Sequence, residues 1–140
     1  MDGGMMRERT FYRLYMEAVK RFPRAGGVYA HGAGVRLCRN LLHCLHGHTV
    51  YARRGPGGRM EMMALWWLTD AQGFAESLKH GTTERRGKGD YLFVADLFNL
   101  GGRDNIFRLR AHLKRKYGII RVGWRSHNER IKTWAAVATR

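Results

Sequence analysis

Acidic residues are scarce in this chain. Only 11 Asp and Glu stand against 26 Lys and Arg among 140 residues, a formal charge of +15. Such an excess of one sign resists compaction of the isolated chain and is usually matched by phosphates or acidic protein surfaces, so an anionic partner is the first expectation. Cysteine is nearly missing too. Cys38 and Cys44 are the only 2, close together in a histidine-rich stretch, which excludes a disulfide framework of the secreted kind and suits a reducing compartment. Long apolar runs are absent: the longest, Met62 to Leu68, is far short of the roughly 20 residues that cross a bilayer. The opening Met-Asp-Gly-Gly has neither the apolar core of a secretory signal nor the glycine directly after Met that myristoylation requires, so any organelle address is expected to be internal or already removed.

The apolar content is ample. At 44% hydrophobic and 11% aromatic, the chain has enough to build a core within the usual single-domain length, and intrinsic disorder is the wrong class. From Met5 to Phe22 the residues Phe11, Leu14, Tyr15, Ala18, Val19 and Phe22 keep the spacing of one helical face, and Pro23 with Gly26 and Gly27 predicts its end. Val35, Cys38, Leu41, Leu42 and Leu45 predict a second helix up to Gly47. Thr49 to Ala52 suits a short extended piece before the loop from Arg53 to Gly58. Met60, Met63, Ala64, Trp67, Ala71, Phe74 and Leu78 keep helical period again and predict a third helix, weakened near Gly73.

Thr82 to Gly89 is charged and glycine-bearing, which suggests a linker between residues 1–80 and a more mixed region, 81–140. There, Tyr91 to Leu100 is apolar on too many sides to choose between buried helix and strand. Ile106, Leu109 and Leu113 predict a helix from Arg103 to Tyr117, stopped by Gly118. Ile119 to Trp124 has strand composition, and Asn128 to Ala138 suits a last short helix. The expected class is therefore mainly α: an amino-terminal three-helix bundle with a basic, mixed helical and extended carboxy-terminal extension.

Catalytic apparatus is not apparent. The few acidic residues are scattered among arginines, and Asp90, Asp96 and Asp104 suit helix caps or ion pairs better than acid–base work. Gly55 to Gly58 and Gly87 to Gly89 lack the Lys-Ser/Thr that follows a phosphate-cradling loop. Cys38, His43, Cys44, His46 and His48 offer thiolates and imidazoles, and Cys44 and His48, one helical turn apart, are placed to share a face. Zinc sites draw paired ligands from two separate elements, however, and no second pair follows, so Cys38, Cys44 and His48 are metal candidates only and no resident metal or cofactor is expected. The basic clusters speak more clearly: Arg53 and Arg54; Arg85, Arg86 and Lys88; Arg108, Arg110, Lys114, Arg115 and Lys116; Arg121 and Arg125. Phe107, Tyr117 and Trp124 are interleaved with the last two, and a cation beside an aromatic suits a phosphate with an unpaired base, hence RNA.

Phe11-Tyr12-Arg13, with Phe22 nine residues after the arginine, resembles the LYR-motif proteins, small basic helical proteins of mitochondria. Val35 to Asn40 is similar to the arginine-rich second helix of that family, and the likeness spans roughly residues 5–45. Phe11 stands where leucine is usual, and Gly26, Gly27, Gly32 and Gly34 fall where that second helix normally begins. The resemblance implies a three-helix bundle in the mitochondrial matrix without catalysis. It also implies docking of an acyl carrier protein by Tyr12 and Arg13, supported by Arg36 and Arg39, with the carrier's acyl-phosphopantetheine chain entering between the helices near Phe22 and Leu41. On this basis the expected function is that of an accessory or assembly subunit of a large mitochondrial complex, a respiratory one. The alternative expectation is an RNA-binding structural protein of a mitochondrial ribosome, working through the carboxy-terminal clusters.

Overall fold

The structure, a computed structural model, describes residues 2–21, 33–118, 120–125 and 131–136, with side chains at 9–21, 37–118 and 121–124. It is an α/β fold rather than the expected mainly helical one. The elements are α1 (Asp2–Arg21), α2 (Ala33–His46), β1 (Val50–Arg54), β2 (Met60–Thr69), α3 (Ala71–His80), β3 (Tyr91–Asn99), α4 (Arg103–Tyr117), β4 (Ile120–Arg125) and β5 (Ile131–Ala136). Hydrogen-bonding order follows chain order, β1-β2-β3-β4-β5. The β1/β2 and β4/β5 pairs are antiparallel, while β3 and β4 run parallel with Tyr91 opposite Arg121. A parallel neighbour requires a crossover, and α4 supplies it. The chain forms two compact units, Met1–Leu65 with Asp96–Gly102, and Trp66–Ala95 with Arg103–Arg140.

In the first unit α1 buries Leu14 and Ala18, and α2 buries Leu37, Asn40, Leu41 and Cys44. Both helices form where the spacing placed them; Phe22 and the break at Pro23, Gly26 and Gly27 lie outside the described residues. Their polar groups tie them to strands rather than to a third helix. Glu17 accepts from the Arg54 guanidinium, with Nη2 at 2.8 Å, and from the Met60 amide at 3.1 Å. Arg21 Nε donates to the Met60 carbonyl at 3.0 Å, and Asn40 Nδ2 donates to Asp96 Oδ2 at 3.1 Å. The three-helix bundle is thus corrected to a helix pair on a sheet.

The predicted third helix is two elements. Met60 to Thr69 is a strand, nearly every residue of which is buried. A strand covered on both faces loses the alternation of a half-exposed one and becomes a continuous apolar run, on which a helical period is easily imposed. Trp66 and Trp67 show the two faces directly, since successive strand side chains point opposite ways. Trp66 Nε1 donates to the Tyr117 hydroxyl of α4 at 3.0 Å, while Trp67 Nε1 donates to Ser77 Oγ of α3 at 3.1 Å. In the second unit, therefore, α3 covers one face of the sheet and α4 the other. Phe93 joins Trp67 at 5.3 Å between ring centroids, and Leu109 and Leu113 form the buried side of α4. Burying each such side chain contributes about 1.5–3 kcal/mol.

Asp70 separates strand from helix. Its carboxylate accepts from the Gly73 amide at 2.8 Å as the N-cap of α3, and Gly81, at φ 81°, closes that helix by donating to the Ser77 carbonyl. The segment Thr82 to Gly89 is pinned to this corner: Thr69 Oγ1 donates to the Arg85 carbonyl at 2.6 Å, and Arg86 bridges to Thr69. Tyr91 to Asn99 is a strand, which settles the segment that periodicity left open. The expected last helix is corrected as well: Ile131–Ala136 pairs with β4 as β5, and the remainder of that segment lies outside the described residues. Ile131, Thr133 and Val122 are β-branched, and pairing partners outweigh a weak helical period in so short a piece.

Candidate anion-binding surfaces

Helix α4 matches its predicted bounds and carries the densest charge. Asp104 in the first turn and Lys114, Arg115 and Lys116 in the last suit the helix dipole. At about 100° per residue, Arg103, Phe107, Arg110 and Lys114 share the side opposite Asn105, Leu109 and Leu113. All four are exposed, and Phe107 is 58% accessible, an apolar ring set among cations. Arg108 and Arg115 flank this face. Arg103, Arg108, Lys114 and Arg115 have no ion-pair partner among the described residues. Arg103 is absent from the sequence-predicted set; its position four residues before Phe107 is the signal that includes it.

The other aromatics interleaved with charge serve differently. Tyr117 is half-buried and accepts from Trp66, with Lys116 Nζ lying 5.6 Å from the Trp66 ring. Trp124 is half-buried in β4. His112 packs edge-on against Trp66 at 6.1 Å, and burial, with Lys116 and Arg115 nearby, lowers its pKa below the usual imidazole value.

The remaining basic clusters are partly neutralised within the fold. Arg54 pairs with Glu17, whose carboxyl is held below the ordinary range chiefly by that guanidinium. Arg85 Nε reaches both Asp70 oxygens at 2.9 Å, and this contact, with the Gly73 amide, lowers Asp70 to about 2. Arg86 lies over the Trp67 ring at 5.2 Å, and Arg121 over Tyr91 at 5.5 Å. Arg53 is half-buried and Lys88 exposed; the Arg125 side chain lies outside the described residues.

Of the residues that the LYR resemblance singles out, Tyr12 is 67% exposed on α1, with Arg13 and Met16 exposed beside it, and Arg39 is exposed on α2. Leu41 is buried, and the Arg36 side chain lies outside the described residues. The metal candidates do not converge. Cys44 is buried in the core of the first unit, Cys38 is half-buried near Tyr15, and His48 is exposed in the turn beyond α2 with φ 57°. The helix ends at His46, so Cys44 and His48 do not share a helical face as expected. No group of three His, Cys, Asp or Glu suited to a metal occurs among the described residues. Asp96, expected as a cap or ion-pair partner, is buried within β3 and accepts from Asn40. No described helix is long and apolar enough to cross a membrane. No family model matches the chain, and no curated protein matches it.

Proposed function

We propose that the protein is a binding subunit that engages RNA through α4. The observation that carries this reading is the cationic face of Arg103, Arg110 and Lys114, continuous along the helix and flanked by Arg108 and Arg115. Lysine and arginine side chains that neutralise phosphates release condensed counterions, which makes such binding salt-dependent. The test is fluorescence anisotropy of a labelled RNA with the full chain over a salt series. Arg103→Gln combined with Lys114→Gln should weaken binding and reduce the log–log salt slope by about 1.4, from about 0.7 per lost contact on a single strand. No RNA binding at low salt refutes the proposal.

A second reading, docking of an acidic carrier protein, rests on the exposed Tyr12, Arg13 and Met16 of α1 with Arg39 of α2. It no longer includes an acyl chain running through a three-helix bundle. Carrier protein offered in place of RNA in the same titration separates the two: binding lost in Arg13→Glu but retained in the α4 variant favours this second reading.

A further inference from the structure

We infer that α4 takes single-stranded RNA in preference to duplex, stacking an unpaired base on Phe107 between phosphate contacts from Arg103 and from Arg110 with Lys114. This rests on the RNA reading of the same helix and adds the form of nucleic acid that it accepts. Three observations carry it. Phe107 is 58% exposed in the middle of a cationic face, where an apolar ring contributes nothing to phosphate contact. It projects from the side of α4 opposite Leu109 and Leu113, so the helix core does not need it. Of the other aromatics interleaved with charge, Tyr117 is committed to Trp66 and Trp124 is half-buried in β4.

The spacing suits a strand followed along the helix. Arg103 precedes Phe107 by about 6 Å of helix axis, and Arg110 and Lys114 follow it by about 4.5 and about 10.5 Å. A backbone lying over this face meets cation, ring, cation and cation in turn. In an A-form duplex the base faces are covered by their neighbours and the major groove is too deep and narrow for side chains, so the ring would stay wet. An unpaired base covers it, and such stacking tolerates any base because each has a π-face.

The experiment compares an unpaired RNA of about 12 nucleotides, within the range one small domain covers, with a duplex of the same sequence, by anisotropy at fixed salt. The single strand should bind more tightly. Phe107→Ala should weaken it about tenfold, leave duplex binding and the salt slope unchanged, and be rescued by Phe107→Trp. Phe107 is exposed, so the variant should fold, which its circular dichroism checks. Equal affinity for single strand and duplex, or an unaltered Phe107→Ala, overturns the stacking inference. If Arg103→Gln with Lys114→Gln still weakens binding in that case, the RNA reading survives without it. Absence of all RNA binding removes both.

Discussion

Replacing Gly73 by alanine sets two effects of known size against each other. Gly73 is the third residue of α3, and helix propensity alone favours alanine there by about 1 kcal/mol. The backbone of that turn, however, runs against Thr69. A Cβ built on Gly73 lands on Thr69 Oγ1, with the Arg85 Cβ at 3.0 Å behind it. Thr69 is fully buried, and its hydroxyl already donates to the Arg85 carbonyl at 2.6 Å. Making room therefore costs overpacking strain of about 1–3 kcal/mol, together with about 1–3 kcal/mol if the hydroxyl is turned from its partner. The balance is a net destabilisation of about 2 kcal/mol, a fall of about 6 °C in melting temperature for a chain of this size. Thermal unfolding by circular dichroism, backed by urea titration, measures it. A melting temperature unchanged or raised in Gly73→Ala refutes the steric argument. Thr69→Ala combined with Gly73→Ala should recover part of the loss, with a coupling of about 1 kcal/mol or more, because the new methyl then has space.

Asn40→Ala should lower stability by about 1–3 kcal/mol, since it leaves the buried Asp96 oxygen without its 3.1 Å donor; a change in urea midpoint below about 0.5 kcal/mol would contradict that role. Asp70, held at about 2 by Arg85 and then by the Gly73 amide, titrates below its ordinary 3.8. A depressed carboxyl contributes stability that is present above the unfolded value and lost as pH falls through the folded one, so Asp70→Asn should flatten the stability profile between about pH 4 and about pH 2. Parallel profiles for the two proteins, from urea unfolding at a series of pH values, would sink it.

How much of this was legible in the sequence depended on how many faces each element buries. Helices α1, α2 and α4 each bury one face, so their spacing survives in the sequence and their positions follow from it. Strand β2 is covered on both faces, and Met62 to Trp67 therefore shows no period of its own; joined to Ala71, Phe74 and Leu78 it imitated a single long helix. The correcting signal was present in Asp70, a capping residue three positions before Gly73, and in Gly81, a glycine suited to the left-handed terminus. The candidate site was legible in part. Charge and helix located α4, but sequence gave Tyr117, Trp124 and Phe107 equal standing. Only the packing of Trp66 against Tyr117 distinguishes a core aromatic from an exposed one.

The same packing shows why net charge is a poor guide to where an anion binds. Arg54 and Arg85 also belong to basic clusters, yet each meets a carboxylate that the sheet corner or the first helix brings to it. Those contacts are solvent-exposed and add little stability, but they offset the local field that an approaching phosphate would meet. Along α4, Arg110 and Lys114, four residues apart, repel by about 0.2–0.5 kcal/mol, and Asp104 is the helix's own acid. The helix is held by Leu109 and Leu113 on its inner side, and Arg103, Arg108, Lys114 and Arg115 have no ion-pair partner among the described residues. An anion bound there relieves repulsion that the fold itself tolerates, whereas at Arg54 or Arg85 it must compete with Glu17 or Asp70. That difference in competition, more than the number of cations, favours α4.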